Sequence, residues 1–469
     1  MTTKCGVLAI YNENTINCHC NIPEFIESLD KLQHRGQESC GMCYHIDNKL
    51  SQYKNHGLVK DVFKFILDNP NEFVKDKPKY MLGHTRYSTS GSKYNDDNDC
   101  NGCNDDNEIQ PFYGKNKKLG TFSFVFNGNI PYRESYDDLD INFNYDKHNY
   151  LDTELIKSFL ENSYLYCWEK VLTDFVKRIE RAYCLIVLTD DGLYAVRDSF
   201  GVRPLCIGTN ENNICISSES CAFLKYDFNR FIKPGEVFKV DTMETINIYS
   251  RQYGATCIFE YIYFLNKKSE NVFDVREKFG ALLASNEKLL IHGDENILVC
   301  GCPSTGITSA KKYAETMEYT YHQFIMKNKN SNRTFILKND IDRDKASKEK
   351  YIINNEINLK DRDLVVVDDS IVRGITMKNL VTQLKIYEPR SIHIRVSAPP
   401  VKYPCYYGVD IPTQQELIAY NNSIENIRQI FKVHSIYYLE IEDLYKLFPK
   451  DKTCYGCFNE QYKGSKYEW

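Results

Sequence analysis

Cys5 is the first residue of this chain whose type and position suggest chemistry. It opens the apolar run CGVLAI and follows only four residues, Met1 to Lys4. Removal of those residues would place the α-amino group of Cys5 beside its own thiol. An α-amine titrates near roughly pH 8, so it can act as a built-in base for a nucleophilic sulfur. Cys5 alone stays ambiguous, because a cysteine in a strand usually belongs to the core.

Four later residues have the groups that an amide hydrolase acting on an amino acid needs. Arg86, in GHTRYST, can bind an α-carboxylate through two hydrogen bonds, and Asp152 can bind an α-ammonium group. The Asn127 side chain and the backbone N–H of Gly128, in FNGNI, can form an oxyanion hole. Each residue also has a plain structural interpretation, since Asn-Gly-Asn forms turns and Arg86 can pair with any surface acid.

A second kind of chemistry is indicated by the segment LVVVDDSIVRGIT, residues 364–376. An apolar strand ends in Asp368 and Asp369, and a helical pattern follows the loop. Because parallel strands deliver their carboxyl ends to the ligand crevice of a sheet, the loop N–H groups, Ser370, Thr376 and the helix N-terminus can hold a phosphate. The two carboxylates can then bind ribose hydroxyls directly or through Mg²⁺. The alternative is a solvated strand end.

The chain has 18 cysteines, a high number for a reducing compartment, where disulfides are improbable. Most lie in apolar runs and are expected to pack as small hydrophobes. Cys454 and Cys457 have a spacing that can chelate one face of a metal centre, and the distant Cys257 and Cys405 could complete four thiolate ligands. The spacing alone does not distinguish such a site from packing.

The elements that must position these residues change in kind along the chain. In the first half, short apolar or alternating runs predict many strands, with helices over Pro23–Leu32 and from Thr153, the second capped by Asp152. In the second half, compact strands alternate with helical patterns, as in a parallel sheet. The predicted strands are 5–11, 121–127, 184–189, 192–197, 214–217, 297–301, 364–367 and 392–396, and the later helices are 274–290, 306–316 and 377–387. We place a domain boundary at residues 240–255.

Length and composition restrict the class of protein. At 469 residues the chain is too long for one ordinary core, and 42% hydrophobic with 26% charged residues excludes disorder and fibres for its bulk. A net charge of −5 argues against a nucleic-acid or anionic-membrane surface. The sequence has no apolar run of the roughly 18 residues that span a bilayer, and its start lacks the apolar stretch of a signal peptide. We therefore expect a cytoplasmic protein without nucleic-acid or membrane partners.

The segment Tyr94–Glu108, YNDDNDCNGCNDDNE, carries six acids and no base. It fits the spacing of a calcium-binding loop, but neither flank has a helical pattern and Asn104 stands where such loops are aliphatic. The pair Cys100 and Cys103 lacks a second pair of zinc ligands. A solvated insertion in a surface loop is therefore the favoured interpretation.

Seven stretches of the first half resemble, in the same order, the N-terminal-nucleophile glutamine amidotransferases: CGVLAI, LQHRGQES, GHTRYSTSGS, FNGNI, AVRDSFGVRPL, SSESCAFL and KPGEVFKV. Within that group the chain is most similar to the amidophosphoribosyltransferase family. The resemblance implies that Cys5 is the nucleophile, with Asn127 and Gly128 in the catalytic site, and that residues 1–4 are a removed propeptide. It also implies that glutamine is bound by Arg86, Thr89 and Asp152.

The segment around Asp368 resembles the phosphoribosyl-diphosphate loop of type I phosphoribosyltransferases, and further matches such as RTFI and SAPPVKYPCYYGVDIPTQQELIA extend to Phe458. The resemblance implies an Mg²⁺ site at Thr305, Asp368 and Asp369. The implied ligands of phosphoribosyl diphosphate are Asp368, Asp369, Ser370, Ile371, Val372, Arg373, Gly374, Ile375 and Thr376. One branch of the family carries a [4Fe–4S] cluster on cysteines in stretches matched here by CIFEY, PCYYG and CYGC, which implies the ligands Cys257, Cys405, Cys454 and Cys457.

The resemblance also implies an architecture and a reaction. Residues 5–245 are expected to form an α+β N-terminal-nucleophile domain, an αββα sandwich. Residues 255–469 are expected to form an α/β parallel-sheet phosphoribosyltransferase domain with a C-terminal tail. Glutamine would be hydrolysed and its ammonia transferred to phosphoribosyl diphosphate, the first committed step of purine synthesis. The family further implies feedback inhibition by purine nucleotides and a homotetramer or homodimer.

Departures from the family pattern leave alternatives open. Ser304 stands where the family has an acid, and the segments Lys327–Asn330 and Ala346–Glu349 differ from a loop that closes over the substrate and helps to form the ammonia passage. One alternative is therefore a glutaminase whose transferase half has decayed into a nucleotide-sensing module. Another is a non-enzymatic binding protein that keeps only the folds. A hexosamine-forming amidotransferase shares the first half, but the loop at Asp368–Thr376 argues against it.

Overall fold

The computed structural model describes residues 5–13, 21–46, 49–75, 77–87, 108–131, 151–211, 213–249, 251, 254–288, 290, 293–328, 350–409, 411 and 413–462. The predicted propeptide, the predicted glutamine ligand Thr89, the acidic segment up to residue 107 and the variant loop at 329–349 lie outside these residues.

The first half consists of two antiparallel sheets and flanking helices. Its strands are β1 (Gly6–Asn12), β2 (Ser39–Ile46), β3 (Lys49–His56), β4 (Tyr80–Arg86), β5 (Phe112–Asn116), β6 (Gly120–Asn129), β7 (Ala182–Thr189), β8 (Gly192–Arg197), β9 (Cys206–Asn210), β10 (Asn213–Ser217), β11 (Asp227–Phe231), β12 (Glu236–Lys239) and β13 (Glu244–Ile248). Its helices are α1 (Ile22–Asp30), α2 (Val59–Val62), α3 (Lys64–Asp68), α4 (Pro70–Phe73), α5 (Asp152–Asn162) and α6 (Trp168–Arg178). One sheet has the order β11-β9-β10-β1-β4-β2-β3 and the other β13-β12-β8-β7-β6-β5.

Alternation along the strands explains why the two sheets stack. In β1, Val7 and Ala9 contribute to a core shared with Ile186 of β7, whereas Leu8 and Ile10 face a second core formed with α1. A third core joins the far face of the second sheet to α5 and α6. Because successive side chains of a strand point to opposite faces, each sheet is buried on both sides. The predicted αββα sandwich is thereby confirmed.

The second half contains a parallel sheet. The strands of the second half are β14 (Thr256–Cys257), β15 (Ile297–Gly301), β16 (Thr320–Tyr321), β17 (Ile325–Lys327), β18 (Tyr351–Ile353), β19 (Asp363–Asp368), β20 (Ser391–Val396), β21 (Ser435–Tyr438) and β22 (Thr453–Cys454). Its α-helices are α7 (Val272–Ser285), α8 (Gly306–Met317), α9 (Ile375–Lys385), α10 (Ile418–Asn421), α11 (Ile424–Phe431), α12 (Ile441–Leu447) and α13 (Gly456–Asn459), and a π-helical turn spans Glu260–Phe264.

The parallel sheet has the order β16-β15-β19-β20-β21, and helices cover both of its faces. The central strands are buried apolar runs, as expected for strands covered on both sides. The pairing of β15 with β19 brings the loops after Gly301 and Asp368 to the same edge. The fold therefore places the predicted phosphate loop at a ligand crevice.

Most predicted elements are confirmed within one to three residues, but two details of the helices were wrong. Asp152 does not cap α5 from outside: it is the first helical residue, and its Oδ2 accepts a hydrogen bond from the Ile130 N–H at 3.4 Å. The helix predicted to reach residue 290 ends at Ser285. Among the described residues, no helix combines the length and apolar character needed to cross a bilayer.

Candidate functional site

Cys5 lies at the end of the first sheet where β1 starts and β4 ends. Antiparallel pairing of Gly6 with Thr85 places Cys5 opposite Arg86. The Cys5 thiol is 7% exposed and donates to the Tyr87 carbonyl oxygen at 3.8 Å. Burial raises the pKa of the Cys5 thiol; the Tyr87 contact and the charges of Arg86 and Arg35 oppose this effect, and Asp152 adds to it. A thiol with a raised pKa is protonated at neutral pH, so attack by its sulfur requires a base.

Arg86 and Asp152 put one positive and one negative group beside Cys5. Arg86 is paired with Glu108 through Nη2, while its buried Nη1 has no hydrogen-bond partner among the described residues. Burial raises the pKa of Asp152 to about 6, against the lowering effects of the Ile130 N–H and of Arg86. Opposite charges that are close but not paired to each other suit a zwitterionic ligand, whose carboxylate would compete with Glu108 for Arg86.

Asn127 and Gly128 lie near the end of β6, just before Ile130, whose N–H holds Asp152. The Asn127 side chain is fully buried, and both its Nδ2 and Oδ1 are unpaired within the described part of the chain. A buried amide without a partner is costly unless a ligand satisfies it, so Asn127 fits an oxyanion hole. A Cβ at Gly128 would lie 2.5 Å from the Ala182 carbonyl oxygen on the neighbouring strand β7. This close approach explains why position 128 requires glycine.

The second candidate site lies at the carboxyl ends of β15 and β19. Asp369 is buried and Asp368 is partly buried, and Asp369 accepts hydrogen bonds from the hydroxyls of Thr305 and of Ser370, the latter at 2.6 Å. Burial and the charge of Asp369 raise the pKa of Asp368 to about 7, and burial also raises the pKa of Asp369. Two adjacent carboxyl groups that are largely removed from water destabilise each other as anions, so the pair is suited to a cation such as Mg²⁺.

The loop after these acids presents backbone rather than side chains to the crevice at several positions. Ile371 is buried in the sheet core, and Val372 packs against the neighbouring core, so only their backbone groups are available to a ligand. Arg373 is paired at the surface with Glu416, with 2.8 Å between Nε and Oε2. Gly374 has φ +82°, a left-handed conformation that starts α9 and that glycine adopts readily.

The four predicted cluster cysteines come together at a third location. Parallel pairing of β14 with β22 sets Cys257 beside Cys454, and Cys457 follows in the short helix α13. Burial raises the pKa of the Cys457 thiol, and the charges of Cys257, Cys454 and Cys405 raise it further. The Cys405 sulfur accepts N–H groups of Tyr407 and Val409 at 3.3 and 3.4 Å.

The quartet is distinct from the tightest group of potential metal ligands. Among the described residues, the only potential ligand atoms from three or more side chains that all lie within 4.8 Å of one another are those of His34, Glu219 and Cys221. No three of the quartet sulfurs therefore all lie within 4.8 Å of one another. Sulfurs that accept N–H bonds are typical of iron–sulfur ligands.

The comparisons with known proteins agree with this geometry. A family described as a glutamine amidotransferase domain matches residues 98–225, and one described as a phosphoribosyl transferase domain matches residues 277–411. The amidophosphoribosyltransferase of Methanocaldococcus jannaschii is 33% identical over 98% of this chain and 97% of its own length.

The chain belongs to the amidophosphoribosyltransferase family. Two solved structures support this membership. The glutamine phosphoribosylpyrophosphate amidotransferase of Bacillus subtilis, complexed with ADP and GMP, has a TM-score of 0.80 at 28% identity and covers 99% of this chain and 98% of its own. A structure described as the allosteric regulatory enzyme of purine biosynthesis has a TM-score of 0.81 at 27% identity, covering 99% and 97%. The predicted family, two-domain fold class and enzyme class, a glycosyltransferase, are confirmed.

The predicted domain boundaries and the roles of individual residues stay predictions. The structure of this chain nevertheless brings the predicted residues together in three places. Cys5, Arg86 and Asp152 meet in one pocket, Asp368, Asp369 and Thr305 in another, and the four cysteines in a third. Sequence reasoning missed Lys350, whose charge lowers the pKa of both Asp368 and Asp369. Its only signal was its position just after the variant loop.

Sequence reasoning also missed Tyr263, which lies between the two pockets. Burial and the charges of Asp369, Tyr87 and Asp368 raise the pKa of the Tyr263 phenol, so groups from both pockets act on it. Its side chain is nevertheless 37% exposed. Tyr263 is therefore a partly exposed side chain within reach of charges from both sites.

Proposed function

We propose that this chain catalyses the first committed step of de novo purine synthesis in two half-reactions. Glutamine is hydrolysed to glutamate and ammonia, and the ammonia replaces diphosphate on phosphoribosyl diphosphate to give 5-phosphoribosylamine. The observation that carries the proposal is the presence, in one chain, of the thiol pocket at Cys5 and the acidic pocket at Asp368 and Asp369, with groups from both acting on the pKa of Tyr263.

The first half-reaction starts from the Cys5 thiol. After removal of residues 1–4, the free α-amine takes the thiol proton and the sulfur attacks the carboxamide carbon of glutamine. Asn127 Nδ2 and the Gly128 N–H donate to the developing oxyanion. The C–N bond breaks, the nitrogen leaves with the proton as ammonia, and water then cleaves the thioester to glutamate. Arg86 binds the α-carboxylate and Asp152 the α-ammonium group; Thr89, predicted to bind glutamine, lies outside the described residues.

Asp152 makes glutamine hydrolysis dependent on pH. Because its pKa is raised to about 6, Asp152 is protonated below that pH and loses the charge that holds the α-ammonium group. Titration of the α-amine already lowers kcat/KM for glutamine as the pH falls below about 8, and we expect Asp152 to add a second inflection near pH 6, below which the slope steepens by about one power of ten per pH unit. Glutamate release measured from about pH 5 to pH 8 tests this. Asp152→Asn should be slow throughout and lack the second inflection; a wild-type profile without that inflection would contradict the assignment.

The second half-reaction takes place at the end of the parallel sheet. The backbone N–H groups of the loop 370–376, with Ser370, Thr376 and the N-terminus of α9, hold the 5-phosphate. Asp368 and Asp369 bind the ribose hydroxyls. Ammonia forms a bond to C1, the C1–oxygen bond breaks with its electron pair going to diphosphate, and Lys350 is placed to stabilise that charge. Mg²⁺ bound at Thr305, Asp368 and Asp369 would supply further neutralising charge.

The cysteine quartet is proposed to hold a [4Fe–4S] cluster of structural function. The four thiolates, the N–H donors to Cys405 and the enclosure by apolar residues all fit such a group. The Tyr462 hydroxyl donates to the Pro404 carbonyl oxygen at 2.6 Å, and burial together with the charges of all four cysteines raises the pKa of Tyr462, which therefore lies close to the site. The cluster would join segments that lie before, within and after the strands of the parallel sheet in the sequence.

Loss of one ligand should release the cluster. Anaerobically purified protein is expected to carry about four iron atoms and four sulfides per chain, and Cys454→Ser to carry almost none. Cys206→Ser is the matched control, because Cys206 is equally buried but lies in β9, outside the quartet. Equal iron contents in the two variants, by metal and sulfide analysis, would refute the ligand assignment.

Purine nucleotides are proposed as inhibitors that occupy the phosphoribosyl pocket. A nucleoside monophosphate shares the ribose 5-phosphate of the substrate, so the same loop and acids can bind it. The ADP and GMP in the solved relative support this proposal. A homotetramer or homodimer stays a prediction from the family.

The test of the proposed function is to measure glutamate and diphosphate release separately on anaerobically purified protein. We expect both products in equal amounts when glutamine and phosphoribosyl diphosphate are supplied with Mg²⁺. Glutamate release without any diphosphate would instead favour the alternative of a glutaminase with a decayed transferase half, which the comparisons do not support. Absence of both products would favour a binding protein.

A further inference from the structure

Four buried charged side chains form a network where the two halves of the chain meet. Arg35 Nη1 donates to Glu219 Oε1 at 2.6 Å, and the Arg35 guanidinium also donates to both oxygens of Glu260 at 3.1 Å. Arg203 Nη1 donates to Glu260 Oε1 at 3.2 Å. Each of the four side chains is at most 2% exposed. Because the two positive and two negative charges balance one another, removal of one leaves another buried without compensation.

The network contacts the residue that carries the nucleophile. The remaining Arg35 donor, Nε, bonds to the Cys5 carbonyl oxygen at 3.2 Å. That carbonyl is attached to the Cα from which both the thiol and the α-amino group of Cys5 extend. Since Glu219 and Glu260 together hold the terminal nitrogens of Arg35, they fix the direction in which Nε points.

Glu260 belongs to the second half of the chain. It starts the π-helical turn Glu260–Phe264, three residues after Cys257 of the quartet. Its other partner, Arg203, donates through Nη2 to the Tyr407 carbonyl oxygen at 2.8 Å, two residues after Cys405. Glu260 is therefore held by the region around the cysteine quartet while it holds Arg35 of the first half.

The network is not a metal site. His34 and Cys221 approach Glu219 closely enough to complete a trio of ligand types. However, the Glu219 oxygen that His34 contacts at 2.8 Å is the same one that accepts from Arg35. The other Glu219 oxygen accepts from the Asn266 N–H and the Ser269 hydroxyl, both at 2.7 Å. A cation at this trio would be repelled by the Arg35 charge, and neither Glu219 oxygen would be free to bind it.

We propose that Glu260 is a positioning residue for glutamine hydrolysis: contributed by the second half of the chain, it orients Arg35, which holds Cys5 by its carbonyl group. This inference rests on the proposed function. It makes the geometry of the first active site depend on a carboxylate beside the cysteine quartet, although Glu260 touches neither substrate. The effect should appear in the rate of the chemical step rather than in glutamine binding, because Arg86 and Asp152 are separate from the network.

Glu260→Gln tests the proposal, since the amide keeps the size of the side chain but removes its charge. We expect kcat for glutamate release to fall about 10- to 100-fold, as for other small displacements of a reacting group. The KM for glutamine should change less than about threefold. Diphosphate release with ammonia in place of glutamine should be unchanged. Alkylation of Cys5 by iodoacetamide should slow in parallel with kcat.

Glu236→Gln is the matched control. Glu236 is also fully buried and binds Arg230 through two hydrogen bonds at 2.8 and 2.9 Å, but it lies on β12, away from Cys5. It should retain wild-type glutamate release even if it lowers the melting temperature as much as Glu260→Gln does.

Arg35→Lys is the second variant, and it tests the positioning role of the network if Glu260→Gln does not fold. Lysine keeps the charge but has no Nε donor for the Cys5 carbonyl, so the same selective loss of glutamate release is expected. Unchanged glutamate release in Glu260→Gln or Arg35→Lys, or an equal loss of ammonia-dependent activity, would overturn the inference. A wild-type protein that releases no glutamate would instead contradict the proposed function itself.

Discussion

Replacing Cys5 by alanine is expected to abolish glutamine-dependent diphosphate release while ammonia-dependent release continues. Loss of a nucleophile typically lowers kcat by about 10⁴-fold or more, because no other group can form the covalent intermediate. The Asp368 pocket is built from other elements and does not need the thiol when ammonia is supplied. The measurement is diphosphate formation with each nitrogen donor, together with glutamate release.

Cys167→Ala is the control for the loss of a thiol. Cys167 precedes α6, is partly exposed, and lies in neither pocket. It should retain both activities. Glutamine-dependent turnover that survives Cys5→Ala at more than about one per cent would contradict the role of Cys5. Parallel loss of the ammonia-dependent reaction would contradict the independence of the two pockets.

Asp368→Asn is expected to have the complementary effect, a loss of diphosphate release with both nitrogen donors. The amide cannot neutralise a metal ion, and a loss of several kcal/mol of transition-state stabilisation corresponds to about 100-fold or more in rate. Substitution of Asp369, which Thr305 and Ser370 contact, should act in the same direction. Basal glutamate release should persist, since Cys5 and its partners are unchanged.

Asp363 provides a control on the same strand. It begins β19, whereas Asp368 ends it, and it pairs with Arg390 and Ser391 at the opposite edge of the sheet. Asp363→Asn should therefore weaken the fold without a specific effect on the KM for phosphoribosyl diphosphate. Equal kinetic losses in the two variants would indicate that Asp368 acts through stability alone.

How much of the site could be predicted depended on how local the signal was. Asp368 and Asp369 could be identified because the strand, the acids, the loop and the helix are contiguous in the sequence. Cys5, Arg86 and Asp152 are distant in sequence, but each stands at a recognisable strand or helix end. The patterns of apolar residues indicated the strands of the first half and the alternation of strands with helices in the second. The αββα arrangement of the first half came from the family resemblance.

The remaining features are tertiary and left no local pattern. The side chain of Arg35 is directed by Glu219 and Glu260, which are about 180 and 220 residues away along the chain. Lys350 and Tyr263 acquire their positions only when the two pockets are assembled. Burial of Ile371 and the surface pairing of Arg373 with Glu416 likewise depend on α10 and its neighbours, which no residue within the loop specifies.

The pairing of β14 with β22 has a consequence for how the protein is made. Cys257 and Cys454 are adjacent across these strands, although about 200 residues of chain separate them. A ribosome therefore completes the whole glutaminase half, and nearly all of the transferase half, before the last two thiols emerge. Until then Cys257 and Cys405 lack the other two ligands of the proposed cluster. Insertion of that cluster is thus expected to follow synthesis of nearly the whole chain.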